Sequence, residues 1–266
     1  MPDDDKRRLE KTIEALEMRF GARTVRRLGA EPQAPADRLA TGFSALDDAL
    51  GGGLPRGRIT EMTGAPTTGM ATLALKVVAQ AQAQGQTAVY LDLQRTFDPD
   101  YAARCGVVLD GSSSNCFQNR LLLVHPYDAR QAFALLRDFA GSQHGVLVCD
   151  LPPTISASRL TQSLSATLGR SLLPLSRSST VLICLVSLPP AQKPSAHKLP
   201  LRHYATVRLL LRRERWLYRG ADIRGYRAQV IVVKNKSGGG ARPGRKISID
   251  ITFNGSSSNC FQNGVV

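Results

Sequence analysis

The residues whose types and spacing could do chemistry lie in one short stretch, GAPTTGMAT, from Gly64 to Thr72. The stretch follows a strand-like run and precedes a helix-like one, which is the setting of the phosphate-binding motif G-x-x-x-x-G-K-[ST]. Gly64 and Gly69 keep the spacing of that motif, but Met70 stands at the lysine position and Ala71 at the position of the magnesium-binding hydroxyl. The pattern predicts the turn of a phosphate-binding loop without the side chains that act on a triphosphate.

No other group of residues has the spacing of a catalytic or metal site. The four histidines form no grouping with a nucleophile. The five cysteines are odd in number and include no C-x-x-C pair, which argues against a zinc site or a disulfide framework. Cys149 and Cys184 lie inside apolar runs and are expected to be small core residues. We therefore predict no catalytic residue and no metal ligand.

Charge is the strongest signal in the composition. The formal net charge is +14. It is unevenly placed, because residues 1–100 are close to balanced whereas Arg202–Lys246 is strongly basic. A clustered basic region indicates a polyanionic partner, usually nucleic acid. A solvated surface in an arginine-rich protein is the alternative interpretation.

The remaining composition is typical of a soluble globular protein, with 42% hydrophobic and 21% charged residues. No apolar run reaches the roughly 18 residues that a membrane span needs. The stretch Met1–Lys6 is too polar for a signal peptide. We expect a cytoplasmic protein with no membrane partner.

The first element that the sequence predicts is an amphipathic helix over Asp5–Phe20. Its apolar residues lie three or four positions apart and so form one stripe: Leu9, Ile13, Leu16 and Phe20. Gly21 ends the helix, and the prolines of Ala30–Asp37 are typical of a linker. Residues 1–39 are thus predicted to be a helix and linker whose stripe docks on the core, on another subunit or on a partner.

Residues 40–254 are predicted to form the core domain. Its strand-like segments are Ile59–Thr63, Thr87–Asp92, Leu121–His125, Gly145–Asp150 and Thr180–Val186, and its helix-like segments are Met70–Gln84, Pro99–Cys105, Asp128–Ala140 and Ser156–Leu173. Continuously apolar strands suit a parallel sheet that is covered on both faces, so the alternation predicts a doubly wound α/β sheet. Three further strands follow without helices and are expected to pair as antiparallel hairpins: Tyr204–Arg213, Arg227–Val233 and Lys246–Phe253.

A nine-residue segment, GSSSNCFQN, occurs twice, at Gly111–Asn119 and at Gly255–Asn263. Such an identity is not chance, yet two copies are too few for a repeat architecture. We interpret both as surface inserts left by an engineering or genomic event. The second copy forms most of a tail, residues 255–266.

The order of motifs resembles the bacterial RecA recombinase family over nearly the whole chain. The stretches that carry the resemblance are Arg19–Gly21, Arg27–Gly29, Thr41–Asp47, Leu54–Ile59, Asp98–Ala102, Tyr204–Leu209 and Val232–Lys236. The resemblance implies a RecA-like core, with a largely parallel sheet flanked by helices and with C-terminal antiparallel strands. It also implies an N-terminal helix that docks on the next subunit, and filaments on single-stranded DNA. The C-terminal domain of the family is expected to be absent.

Compared with the family's site, the sequence keeps some nucleotide-binding positions and loses others. The lysine and hydroxyl positions are Met70 and Ala71, the glutamate that activates water corresponds to Gln94, and the γ-phosphate sensor aligns with Ser187. A neutral amide cannot accept the proton of an attacking water. The resemblance assigns a vestigial nucleotide site to Gly64, Thr68, Gly69, Met70, Ala71, Thr72, Asp98, Tyr101 and Asp150. Asp98 and Tyr101 match positions that hold the adenine ring, although Tyr101 packing on its own helix is the alternative.

The resemblance also marks contacts with DNA and with a neighbouring subunit. Lys234 and Lys236 match a pair that reaches the neighbour's nucleotide, or else they are solvated strand charges. The two DNA-binding loops of the family are expected to be short here, and the second offers charge without stacking aromatics, so only phosphate-level binding follows. The residues predicted to bind DNA or a partner are Lys193, Lys198, Arg202, Lys234, Lys236, Arg242 and Arg245.

Three losses at one site favour a non-catalytic RecA-like protein that assists or regulates DNA repair, recombination or SOS translesion synthesis, similar to the ImuA type. It would bind a RecA recombinase or further copies of itself through the N-terminal helix, bind single-stranded DNA, and associate with the nucleoid when on DNA. No cofactor is required, and ATP or ADP is expected to bind weakly. Two alternatives stay open: a DNA-dependent ATPase with a non-standard phosphate loop, and a simple basic DNA-binding module.

Overall fold

The computed structural model describes residues 3–21, 25, 37–109, 120–153, 160–188, 200–238, 240 and 242–253. The chain divides into two compact units, Met1–Pro35 and Ala36–Val266. Both copies of the repeated segment, and with them most of the predicted tail, lie outside the described residues.

The first unit contains helix α1, Asp3–Phe20. Its last turn is closed by Gly21, whose amide donates to the Glu17 carbonyl at 2.8 Å and whose φ of 103° lies in the left-handed region. The predicted stripe is present on this helix, and Leu9 and Phe20 are 60% and 59% exposed. Where the stripe docks stays a prediction.

The described residues of the second unit form an eight-stranded sheet with helices on both faces. The helices are α2 (Ser44–Leu50), α3 (Met70–Ala83), α4 (Pro99–Arg104), α5 (Ala129–Ala140), α6 (Leu160–Arg177) and α7 (Leu201–Tyr204). The sheet comprises β3 (Ile59–Gly64), β4 (Ala88–Asp92), β5 (Leu121–Val124), β6 (Val146–Leu151), β7 (Val181–Ser187), β8 (Val207–Arg219), β9 (Asp222–Asn235) and β10 (Lys246–Thr252). Strands β1 (Arg38–Leu39) and β2 (Leu54–Pro55) form a separate antiparallel pair.

The order of the sheet is β10-β9-β8-β3-β7-β6-β4-β5. Six neighbouring strands are parallel to one another: β8, β3, β7, β6, β4 and β5. Strand β9 is antiparallel to both of its neighbours, β8 and β10. The predicted fold class is therefore confirmed. Since β3 lies inside the sheet, the loop that follows it emerges at the carboxyl edge of the parallel strands, where α/β folds place their ligands.

Two apolar clusters cover the faces of the sheet. Along β6, Val146 and Val148 belong to the cluster that contains α3, whereas Leu147 and Cys149 belong to the cluster that contains α5 and α6. This alternation follows from the two-residue period of a strand. Cys149 and Cys184 are fully buried, as the sequence predicts. In the part of the chain that the structure describes, no helix is long and apolar enough to cross a membrane.

The antiparallel strands differ most from the prediction. The predicted start of the first strand at Tyr204 is wrong, because Tyr204 belongs to α7, and β8 runs on to Arg219 rather than ending at Arg213. Helix α6 likewise passes the predicted end and runs through Pro174 to Arg177.

The β8–β9 pair extends past the carboxyl edge of β3, which pairs with β8 only over Val207–Leu211. We call the extension, Arg212–Arg219 with Asp222–Arg227, the distal hairpin. Opposite Arg213 and Arg215, β9 places the consecutive residues Ala228 and Arg227, so Glu214 is an extra residue on β8. Such a bulge bends the strand and increases its twist.

Candidate functional site

The loop between β3 and α3 has a tight turn with two left-handed residues. Gly69, at the N-cap of α3, has φ 96°, and Thr67 has φ 63°. The Thr68 hydroxyl donates to the Ala65 carbonyl at 2.7 Å, which closes the turn from within. A β-carbon on Gly64 would lie 2.5 Å from that hydroxyl, so the first glycine is needed for a close approach.

The inner side of the loop is filled by the protein itself. Met70 is 7% exposed and belongs to the core cluster that also holds Tyr226 of β9 and Ile251 of β10. A β-carbon on Gly69 would overlap the Cδ1 of Ile251 and lie 3.3 Å from the Tyr226 hydroxyl. Ala71 is exposed. The antiparallel strands thus pack directly on the loop, and the lysine position of the motif contributes to the core.

The threonine that the loop retains is engaged by a tyrosine. The Thr72 and Tyr101 hydroxyls lie 2.6 Å apart, in hydrogen-bond contact. Burial raises the pKa of Tyr101 to about 12, partly opposed by the hydrogen bond with Thr72. Burial also raises the pKa of Tyr226. The cluster is therefore neutral near pH 7. Asp98 has a local role, because its Oδ1 accepts from the Tyr101 amide at 3.0 Å and caps α4.

A pair of carboxylates lies at the ends of adjacent strands, since Asp92 of β4 is in register with Asp150 of β6. The Gln94 amide donates to Asp150 Oδ1 at 2.7 Å, and the Thr96 hydroxyl lies 3.4 Å from Asp150 Oδ2. Asp92, 1% exposed, accepts from the Thr96 amide at 3.1 Å and lies 3.5 Å from His125 Nε2. Segment 94–97 is thereby tied to both carboxylates.

Burial raises the pKa of Asp150 to about 6, and nearby Asp92 adds to the effect while the bonds from Gln94 and Thr96 oppose it. The group at the glutamate position is thus a donor that holds Asp150, and it cannot serve as a general base. Among the described residues, no group of three or more His, Cys, Asp or Glu side chains could hold a metal ion. Within the described part of the chain, this arrangement positions Gln94 and Thr96 on the carboxylates and presents no activated nucleophile.

Lys234 and Lys236 lie near the end of the sheet where the parallel strands begin, whereas the loop lies at the end where they finish. Lys234 is in register with Arg208 of β8, which is in register with Glu61 of β3, three residues before Gly64. Glu61 is fully buried and forms an ion pair with Arg208. Burial, with added repulsion from Lys236 and Arg208, lowers the pKa of Lys234. These lysines are therefore distant from the chain's own loop, and their contact with a neighbouring subunit stays a prediction.

The other predicted DNA or partner residues are spread out. The Lys234 ammonium donates to the Arg202 carbonyl at 2.9 Å, so these two residues are brought together. Arg242 and Arg245 are exposed in the turn before β10. Lys193 and Lys198 lie outside the described residues, and the α1 stripe belongs to the other unit.

The sequence prediction missed the distal hairpin as a surface. Trp216 and Tyr218 are 38% and 62% exposed. The Arg213 guanidinium lies over the Trp216 ring at 4.3 Å, and the Trp216 and Tyr226 rings meet edge to face at 6.1 Å. The signal that could have found it is the interleaving of arginines with aromatics in RRERWLYR, Arg212–Arg219.

Comparisons with known proteins agree on one family. The family described as RecA N-terminal domain matches residues 7–148. Protein RecA of Arthrobacter sp. (strain FB24) is 33% identical over 276 residues, covering 94% of this chain and 74% of that protein. Protein RecA of Leifsonia xyli subsp. xyli is 31% identical, with 95% and 73% covered. Protein RecA of Chlorobium chlorochromatii is 31% identical, with 93% and 73% covered.

Proposed function

Because this chain belongs to the RecA family, we propose that it acts in DNA repair or recombination as a non-catalytic accessory protein. Its place would be in the response to DNA damage and in translesion synthesis, in the manner of the ImuA type. The observation that carries the proposal is the burial of Met70 in the core, at the position where the motif requires a lysine.

The energies of the lost contacts favour a protein that binds nucleotide weakly and does not hydrolyse it. A lysine–phosphate contact is a charge-assisted hydrogen bond of about 1.5–3 kcal/mol, so its loss weakens nucleotide binding roughly ten- to a hundredfold. Ala71 supplies no ligand to magnesium, and the Gln94 amide is committed to Asp150. Phosphoryl transfer depends on positioning and on electrostatic stabilisation of the transferred group. With all three groups changed, slow or absent hydrolysis follows.

A nucleotide, where it binds, would be held by what the chain retains. The amides of residues 64–70 remain at the amino end of α3, which favours phosphate. Asp98 and Tyr101 would flank the base, and Asp150 would face a magnesium ion that accompanies the phosphates. Weak binding of ATP or ADP without turnover is the expected result, and no cofactor is needed for the fold.

The proposed partner is a RecA recombinase, or a further copy of this chain, engaged by the α1 stripe. The exposed Leu9, Leu16 and Phe20 give this helix an apolar face with charged residues around it. Lys234 and Lys236 would meet the nucleotide of the neighbouring subunit. A protein that joins a filament in this way but turns over no ATP would cap it or alter its dynamics.

Single-stranded DNA is the second proposed partner, and the distal hairpin supports it. Single-strand binding combines positive charge with aromatic rings on which bases stack. Arg212, Arg213 and Arg215 are exposed beside Trp216 and Tyr218, so charge and rings lie on one element. The predicted basic positions Arg202, Arg242 and Arg245 would add phosphate contacts, as would Lys193 and Lys198.

The test adds the purified protein to a bacterial RecA on single-stranded DNA and follows RecA's ATP hydrolysis. We expect the rate to change in proportion to the added protein. The paired substitution Leu9→Asp with Leu16→Asp should abolish the change, whereas Met18→Asp, on an 84% exposed side chain outside the stripe, should leave it intact. No binding to RecA and no change in its ATPase would overturn the proposal.

A second candidate, an ATPase with a non-standard loop, is favoured by the retained backbone turn and by Asp150. ATP turnover by the isolated protein, stimulated by single-stranded DNA and lost in a Gly69→Asp variant that circular dichroism shows to be folded, would establish it. A simple DNA-binding module is the third candidate, favoured by the basic hairpin. It requires a steep fall of DNA affinity with salt that is independent of RecA and is reduced when Lys234, Lys236, Arg242 and Arg245 are replaced.

A further inference from the structure

Helices α5 and α6 form a groove on the face of the sheet opposite α3, away from the loop and the distal hairpin. The groove has a volume of about 210 Å³. It is lined by Arg130, Phe133, Ala134, Arg137, Ser163, Thr167 and Arg170. The lining residues, all within the described part of the chain, include three arginines and no carboxylate. The groove is therefore complementary to negative charge.

The spacing of these residues places the arginines at two separate ends of the groove. Arg130, Phe133 and Arg137 lie on one side of α5, and Thr167 and Arg170 on the facing side of α6. Both helices connect parallel strands, so they run in the same direction and place Arg137 near Arg170 at one end. Seven helical residues span about 10 Å, so Arg130 lies about that far away at the other end.

The size and the floor of the groove select the kind of ligand. A volume of about 210 Å³ falls below the roughly 300–1,000 Å³ of small-molecule sites, which disfavours a nucleotide. Phe133 is only 4% exposed, so it gives no platform for base stacking and disfavours a single strand of nucleic acid. What fits is one apolar side chain over the exposed Ala134, with anionic groups toward both ends.

We propose that this groove binds an acidic peptide segment of a partner protein, in which carboxylates flank one apolar side chain. One carboxylate pairs with Arg137 and Arg170, as guanidinium groups favour bidentate contacts. The other pairs with Arg130, and the hydroxyls of Ser163 and Thr167 donate to the peptide backbone. Arg137 also contacts Asp138 at 3.2 Å on the surface, and an incoming carboxylate competes with that exposed contact. The site requires neither nucleotide nor DNA and so goes beyond the proposed function.

The experiment measures binding of a fluorescently labelled peptide, with glutamates on both sides of a single leucine, by anisotropy at physiological salt. Arg170→Glu should weaken binding at least about tenfold, because it removes one charge-assisted contact and adds repulsion. Arg177→Glu changes the net charge equally on the same helix, outside the groove, and should leave the affinity within about twofold. Both arginines are exposed, so both variants should fold, and circular dichroism checks this.

Two further probes separate the ligand classes. A peptide with glutamine for each glutamate should bind at least tenfold more weakly, and oligothymidylate should not compete. Equal losses in Arg170→Glu and Arg177→Glu, an unchanged affinity in Arg170→Glu, or displacement of the peptide by the oligonucleotide would each overturn the proposal. A peptide copy of Asp3–Phe20 that binds better than the acidic probe would assign the groove to a second copy of this chain, and would also overturn it.

Discussion

The loop after β3 and the distal hairpin lie at the same end of one sheet, yet the key side chains of the loop are buried and those of the hairpin are exposed. In the loop, Met70 is turned into the core and Thr72 is bonded to Tyr101. In the hairpin, Tyr218 and the arginines around it face water. Tyr226 connects the two regions, because it packs on the loop and meets Trp216 edge to face.

The difference indicates where this protein has room for a partner. In the loop, most substitutions alter the packing of the core, so we expect them to change the free energy of unfolding. In the hairpin, substitutions remove exposed groups, so we expect them to change the affinity for DNA and not the free energy of unfolding. Each of the following substitutions tests that division, and each is matched with one from the other region or from elsewhere on the surface.

The largest effect is expected in β3, the strand that leads into the loop, at the ion pair of Glu61 and Arg208. Glu61 is fully buried and Arg208 is 15% exposed. Arg208→Met should destabilise the protein by about 3–5 kcal/mol, because it leaves a buried carboxylate without its guanidinium. Arg212→Met, an exposed arginine on the distal hairpin, should change stability by less than about 0.5 kcal/mol. Urea unfolding measures both, and similar losses would break the comparison.

Gly69→Ala should follow, with a loss of about 2–3 kcal/mol. The new methyl group meets Ile251, and the backbone is left-handed. The matched change is Gly220→Ala in the turn of the distal hairpin, where φ is 62° but nothing lies within 4 Å of the new carbon. That variant should lose only the conformational contribution, about 1 kcal/mol. The difference between their unfolding free energies isolates the packing of β10 on the loop.

A smaller effect depends on pH. Burial raises the pKa of Asp150 to about 6 in the folded protein, whereas an unfolded aspartate titrates near pH 3.9. The folded state therefore holds the proton more tightly, and stability falls as pH rises between these values. Asp150→Asn should remove this dependence and stabilise the protein at pH 7 by on the order of 2 kcal/mol. Thermal unfolding of both proteins from pH 4 to pH 7.5 measures it; parallel curves would contradict the assignment.

The smallest effect belongs to the hairpin and to binding. Trp216→Ala should weaken binding of oligothymidylate about tenfold, since one stacked base contributes about 1–3 kcal/mol, while stability changes by less than about 1 kcal/mol. Tyr127→Ala, at an aromatic that is 90% exposed beside α5, is the control and should bind DNA normally. If Trp216→Ala leaves DNA affinity unchanged, the hairpin does not differ from the rest of the basic surface.

The parallel part of the fold could be predicted from sequence because burial leaves a pattern. Strands such as Val181–Ser187 are apolar in every residue but the last, and the structure places them within one residue of the prediction. The outer half of β8 carries no such pattern, because Arg212–Arg219 is exposed and its strand character comes from pairing with β9. The predicted end at Arg213 is close to where burial ends.

The candidate site could be predicted only as far as it is local. Gly64, Gly69 and Met70 are read directly from the spacing of one motif. Tyr226 and Ile251, which fill the loop from inside, are more distant in the chain and are brought there by the register of β9 and β10. The bond from Gln94 to Asp150 likewise depends on β4 and β6 being neighbours. The sequence shows that the loop lacks the lysine and the hydroxyl of the motif, whereas only the tertiary structure shows that Tyr226 and Ile251 pack against it.

The bulge at Glu214 has a consequence for how this protein could change in evolution. Side chains alternate between the two faces of a strand, so one extra residue reverses the alternation beyond it. With Glu214 present, Trp216 lies opposite Tyr226 and shares its face. Loss of that single codon would leave Arg213 opposite Ala228 and Trp216 opposite Tyr226, so the faces of the hairpin would be kept while its local bend and extra twist were lost. The length of the chain at this position thus sets the shape of the hairpin, and the residue types set what its faces carry.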